Sequence, residues 1–158
     1  MTGTGTPATE VLRAAGVPHT LHAYDHDPRA SSYGLEAAEA LGVDPDRVFK
    51  TLMIDVDGTL AVAVVPVSCT VDLKAAASAL GGKRASMADP AAAQRATGYV
   101  LGGISPLGQK KRHRTVLDET VELWDTVLVS GGRRGLDLEL SALDLIDLTE
   151  GIVAGIGR

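Results

Sequence analysis

Aromatic side chains are scarce in this chain: one Trp, one Phe and three Tyr make up 3% of its 158 residues. That scarcity argues against a surface on which long single strands stack their bases. Cysteine is scarcer still. Cys69 is the single one, which excludes an internal disulfide and any zinc cage built on several thiolates. Its place just after an apolar run leads us to expect a buried, inert thiol. An excess of basic charge is also missing, since the net charge is −5. Indiscriminate adhesion to nucleic acid or to anionic membrane is therefore disfavoured, and any nucleic-acid contact has to be local. No run reaches the roughly 18 uninterrupted apolar residues of a membrane span, and Met1–Thr9 lacks the charged-then-apolar order of a secretory signal. A cytoplasmic protein without membrane contact is expected.

What remains is ordinary for a globular domain, with 45% apolar and 22% charged residues, a balance that disfavours global disorder. Residues 1–8, rich in Thr and Gly, are expected to be a flexible tail, and 9–158 one domain. Thr9 is a candidate N-cap for a helix over Glu10–Ala15 that Gly16 and Pro18 stop, and His19–Tyr24 reads as a strand. Ser31 or Ser32 is placed to cap a helix running to Leu41, with Leu35, Ala38 and Leu41 at helical spacing. Val48–Val56 and Leu60–Val67 are apolar, β-branched runs joined by Asp57-Gly58, a strong hairpin signal. Helices are expected over Val71–Leu80 and Asp89–Thr97, and short strands over Tyr99–Leu101, Thr115–Asp118, Thr126–Ser130 and Leu136–Leu140. A second glycine-rich turn is read at Gly131–Gly135, and Ser141 opens a last helix. Strands mixed with helices and joined by tight turns predict an α+β fold on a mixed, partly barrel-like β-sheet with surrounding helices.

Three segments bear on chemistry. TGYVLGGISPLGQKK, Thr97–Lys111, sets two adjacent glycines and Pro106 between an apolar run and the basic cluster Lys110–Arg114. Bare backbone at Gly102 and Gly103 can approach a ligand closely, and the neighbouring positive charge suits an anionic one. Lys50 stands inside the apolar run Val48–Ile54, a costly place for an ammonium unless it faces a pocket or a partner. It is the leading functional residue. On the strand period of two it shares a face with Leu52 and Ile54, while Thr51 points the other way with Phe49 and Met53. Asp55–Leu60 matches the DxDGT signature of haloacid-dehalogenase-type phosphatases, but an apolar strand follows at once, so the motif is read as a turn. His19, His22, His26 and His113 form no metal motif, and no Ser/His/Asp triad is evident from spacing. An enzyme built on this chain is expected to lack its own nucleophile, metal and cofactor.

Four segments in one order, YDHDP at Tyr24–Pro28, VFKTL at Val48–Leu52, TGYVLGGISPLGQKK, and VSGGRRGLDLEL at Val129–Leu140, resemble the YbaK/EbsC family of aminoacyl-tRNA deacylases. The similarity runs from about Pro18 to Asp147, and the subgroup it points to is the Cys-tRNA(Pro) deacylases. The resemblance implies a mixed sheet bent toward a barrel. It implies Lys50 as the essential lysine, Tyr24, Thr51, Ser130 and Asp137 as pocket residues, and Gly102, Gly103, Ile104, Ser105 and Pro106 as the substrate loop. It further implies the acceptor end of aminoacylated tRNA as ligand and prolyl-tRNA synthetase as partner, with the substrate thiol supplying the nucleophile. Two other readings stay open: a deacylase for another small amino acid such as alanine, and a noncatalytic module that binds aminoacyl-tRNA or the synthetase.

Overall fold

The structure, a computed structural model, describes residues 5–30 and 32–158. Its elements in chain order are α1 (Pro7–Ala15), β1 (His19–Ala23), α2 (Tyr33–Leu41), β2 (Phe49–Val56), β3 (Thr59–Pro66), α3 (Leu73–Ala79), β4 (Ala85–Met87), α4 (Pro90–Thr97), β5 (Thr115–Asp118), β6 (Thr126–Arg133), β7 (Leu136–Ser141), α5 (Ala142–Thr149) and β8 (Ile152–Ala154), with a 3-10 turn at Glu119–Leu123. The strands divide into two sheets ordered β1-β7-β6 and β4-β2-β3-β5-β8. A parallel bridge between Val48 and Leu128 joins them. The larger sheet is mixed: β2 pairs antiparallel with β3 and β4, whereas β3–β5 and β5–β8 are parallel.

Why β2 and β3 read as nearly continuous apolar runs is clear from their two faces. Val62, Val64, Phe49 and Met53 enter a core shared with Val127, Val129, Leu138 and Leu140 of the smaller sheet. Ala61, Ala63, Val65 and Ile54 enter a second core against Ala76, Ala77 and Leu80 of α3 and its end. A hairpin buried on both sides has no polar face to alternate with. Its turn takes positive φ at Asp57 (51°) and Gly58 (90°), the geometry that Asp-Gly suits. The Asp57 carboxylate accepts the backbone N–H groups of Lys83 (2.8 Å) and Arg84 (3.0 Å), and that of Asp55 accepts Gly58 N–H (2.7 Å). Both aspartates of the phosphatase-like motif are thereby committed to holding a turn.

Several expectations need correction. The first helix starts at Pro7, because Thr6 caps it: the Thr6 hydroxyl accepts Thr9 N–H, and the Thr9 hydroxyl accepts Thr6 N–H. Ala8 is fully buried, so Thr6–Ala8 are not part of the flexible tail expected over 1–8; residues 1–4 lie outside the described residues. Tyr99–Leu101 forms no strand, since side chains take its backbone donors: Tyr99 N–H donates to Thr97 Oγ1 and Leu101 N–H to Gln94 Oε1. The Gly131–Gly135 turn shrinks to Arg134-Gly135, with β6 running through Gly131 and Gly132 as a bulge opposite β7. Ser32 caps α2, Ser31 lies outside the described residues, and the buried positions of that helix are Ala37 and Ala38, with Leu35 exposed. Cys69 is half-buried in the turn after β3. No described helix is long and apolar enough to cross a membrane.

Candidate functional site

The register of β2 creates the site. Val67 N–H donates to Val48 C=O and Ala88 N–H to Met53 C=O, so in an antiparallel ladder the main-chain groups of Thr51 turn away from β3. On that side β4 pairs only with Ile54–Val56, and the chain then leaves at Asp89, the N-cap of α4. Between Met53 and the Val48–Leu128 bridge, no described strand covers the edge. A cavity of about 490 Å3 lies along it, within the range of small-molecule sites. This explains why Lys50 and Thr51, which point to opposite faces, line the same cavity: it wraps an edge rather than a face.

Tyr24, Lys50, Thr51, Gly102, Ile104, Ser130 and Asp137 all line this cavity. Gly103, Ser105 and Pro106 do not; Ser105 is fully buried behind the lining and Pro106 borders a second cavity. Ser130 and Asp137 are register partners across β6 and β7, and His22 of β1 is the partner of Asp137 on the other side. Asp137 is only 6% exposed, and burial pushes its carboxyl up to about 7. Tyr24 follows β1, and burial first, then the Asp137 charge, push its phenol up to about 12. Lys50 is half-buried, and loss of solvation lowers its pKa, opposed in part by Cys69. No described carboxylate pairs with Lys50. The Thr51 hydroxyl is buried without a hydrogen-bond partner, which in a cavity wall points to a ligand.

The glycine loop is pinned from outside. Gly103 N–H donates to Val100 C=O, the Arg134 Nε donates to Leu101 C=O (2.8 Å), and the Tyr99 hydroxyl donates to Leu107 C=O (2.6 Å). The N–H groups of Gly102, Ile104 and Ser105 donate to no acceptor among the described residues. Gly102 has φ of 81°, and a Cβ there would stand 2.8 Å from the Tyr33 ring and 2.9 Å from Arg134 Nε. At Gly103 a Cβ would meet the Arg133 backbone at 2.8 Å, where nothing flexible can yield. Gly103→Ala is therefore expected to destabilise the fold by about 1–3 kcal/mol, read as a lower midpoint in urea melts; an unchanged midpoint would mean that the loop can step away from β6.

Sequence reasoning missed the cavity's rim. Tyr33 lines it, under the Arg134 guanidinium, which sits 4.9 Å from the ring centroid. Glu36 ties the YDHDP segment to α2, accepting from Asp27 N–H (2.7 Å) and meeting His26 Nδ1 (2.8 Å). The signal available was Tyr33 itself, one of the few aromatics, directly after two serines. The described residues hold no group of three or more His, Cys, Asp or Glu placed for a metal.

Residues 27–148 match the model of the aminoacyl-tRNA editing domain. EbsC of Enterococcus faecalis, a proposed Cys-tRNA(Pro)/Cys-tRNA(Cys) deacylase, is 39% identical over 120 residues, 75% of this chain and 73% of EbsC. A proline–tRNA ligase of Shouchella clausii is 37% identical over 75 residues, which are 48% of this chain and 13% of the ligase. The crystal structure of a proposed trans-editing enzyme for prolyl-tRNA synthetase shares the fold, with a TM-score of 0.84 at 22% identity over 100% of this chain and 99% of that one.

Proposed function

We propose, since this chain belongs to the aminoacyl-tRNA editing-domain family, that it clears cysteine from mischarged proline tRNA. The observation that carries the reading is Lys50: a half-buried ammonium that no described carboxylate pairs with, in the wall of a cavity whose facing loop offers uncommitted N–H groups. Such donors suit an oxyanion or a terminal phosphate. Among the described residues no histidine and no cysteine lines the cavity, and its serines Ser32 and Ser130 accept the N–H groups of Leu35 and Gly132.

The nucleophile is then the substrate's own thiol. Its sulfur attacks the ester carbonyl, the C–S bond forms as the C–O bond to the terminal ribose breaks, and the thiol proton leaves with the ribose oxygen. Water opens the strained thiolactone to free cysteine. Lys50 and the N–H groups of Gly102 and Ile104 stabilise the developing oxyanion, while Tyr24, Thr51, Ser130 and Asp137 orient the α-amine and ribose hydroxyls. Positioning and charge stabilisation are the whole of the protein's task. A second hydrolytic site is useful because cysteine and proline differ little in size, and an apolar synthetase pocket separates them poorly. We place the reaction in the cytoplasm, with the chain from Thr6 onward acting as one deacylase domain and prolyl-tRNA synthetase as partner. Docking on the synthetase would offset the weak tRNA affinity of an acidic protein.

The test is decay of purified Cys-tRNA(Pro) in EDTA, beside Ala-, Ser- and Pro-tRNA and an S-methylcysteinyl ester. Cysteine-selective loss that S-methylation abolishes is expected. Preferential loss of Ala-tRNA would move the reading to attack by water, and no loss of any ester would leave a binding module.

A further inference from the structure

The glycine-to-proline loop stands between two cavities. Gly102 and Ile104 face the first, while Pro106 and Leu107 border a second of about 220 Å3 with Gln109, Lys111 and His113. Gln109 bridges the space behind the loop. Its Nε2 donates to Ser105 C=O at 3.0 Å and lies 3.7 Å from Sδ of Met53, a residue of the first cavity's wall. Its Oε1 meets His113 Nδ1 at 2.7 Å.

The direction of this chain is forced. A carbonyl only accepts, so the Gln109 amide nitrogen must face Ser105; its oxygen then faces the imidazole, and Nδ1 must carry the proton. Free histidine favours the other tautomer, so the bond selects a ring state as well as an orientation. We infer that Gln109 is a positioning residue for the loop and that His113 orients it: together they hold the Ser105–Pro106 peptide and, with it, the Gly102 and Ile104 backbone that lines the substrate cavity. This rests on the deacylase reading for its kinetic consequence, though not for its geometry. Burial, and next the Lys111 charge, push the His113 pKa below the usual histidine range, in keeping with a neutral ring. A loop whose donors must meet a developing charge tolerates little displacement, and about 1 Å costs on the order of 100-fold in rate.

Two measurements test this. In single-turnover deacylation of Cys-tRNA(Pro), Gln109→Met, which keeps the volume and loses the amide, is expected to lower kcat by about 10- to 100-fold with KM little changed. Gln109→Glu sets an acceptor against the Ser105 carbonyl. Its rate relative to wild type should stay low above about pH 6 and recover only as the pH falls through about 4, where the carboxyl gains a proton it can donate. Lys111, Arg112 and His113 line the same cavity and hold that carboxyl ionised, which keeps the recovery at the acid end. His113→Asn, with a donor near the Nδ1 position, should retain more activity than His113→Ala. A wild type that is active while both Gln109 variants stay within twofold of it at every pH would overturn the inference. A wild type inactive on every ester would instead overturn the deacylase reading. Independently of any ester, 15N NMR of the His113 ring is expected to show the Nδ1–H tautomer in wild type and its loss in Gln109→Met; an Nε2–H tautomer in wild type would overturn the pairing.

Discussion

Lys50→Ala is expected to lower deacylation of Cys-tRNA(Pro) by about 1,000-fold or more, with a melting temperature equal to or above that of wild type. The two halves of this result come from one cause. Burial lowers the Lys50 pKa, which means that the folded protein disfavours the ammonium relative to water. No described carboxylate pairs with Lys50, and Cys69 offsets that cost only in part, so removing the charge relieves the fold. The same isolation makes the ammonium strong toward a ligand, because a cation in a partly dry cavity acts on a developing negative charge with little screening. Lys50→Met separates charge from packing. It keeps an unbranched stem, and Lys50 Cβ lies beside Gly34, whose own side is filled by Val67. It should be as inactive as the alanine variant and at least as stable as wild type. Single-turnover rates with thermal melts on the same samples decide the matter, and either variant retaining a tenth of wild-type activity would remove Lys50 from the mechanism.

How much of this was legible beforehand varies with the range of the interaction. A lysine in an apolar strand carries its own warning, and the Asp57-Gly58 turn, the Asp89 cap and the Ser141 cap are signals within a few residues, so these elements read correctly. β8 had no such signal: Ile152–Ala154 is three residues long between glycines and becomes a strand by pairing in parallel with β5. β4 likewise exists because Ala85–Met87 lies against Ile54–Val56. Thr6 was passed over because its second partner, the Gly131 carbonyl, lies far along the chain. Lys50 and Thr51 were placed correctly on opposite faces of β2, but period-two reasoning alone would send only one of them to a site. Their convergence follows from β4 ending where it does, a fact of strand pairing that local patterns do not contain. Gln109 sat in view within the motif and His113 two residues beyond it. Their role became visible only with the loop folded back so that Ser105 faces Gln109.

Asp137→Asn should lower deacylation by about 100-fold while making the protein more stable than wild type above neutral pH and not below about pH 4. Asp137 is almost completely buried, and burial raises its pKa to about 7, against about 3.9 for an unfolded chain. The folded state therefore binds the proton more tightly than the unfolded one. Its contribution to stability is fully present below about pH 4, declines as the pH rises, and is lost by about pH 7 and above. The gap of roughly three units corresponds to about 4 kcal/mol as an upper bound, and an amide, which does not ionise, carries none of this pH dependence. Urea melts of wild type and variant across that range should diverge with rising pH. A buried carboxylate that weakens the fold at working pH is explained by the site: ionised, it is the acidic group beside Tyr24 and Ser130 that can meet a substrate α-ammonium. Substrate binding should then draw Asp137 into its charged form and release a proton near neutral pH, measurable as a dependence of binding heat on buffer ionisation enthalpy. Parallel pH–stability curves for the two proteins would mean that Asp137 keeps an ordinary carboxylate pKa in the fold. Loss of activity without that divergence would assign it a packing role at the Ser130 pair rather than recognition of charge.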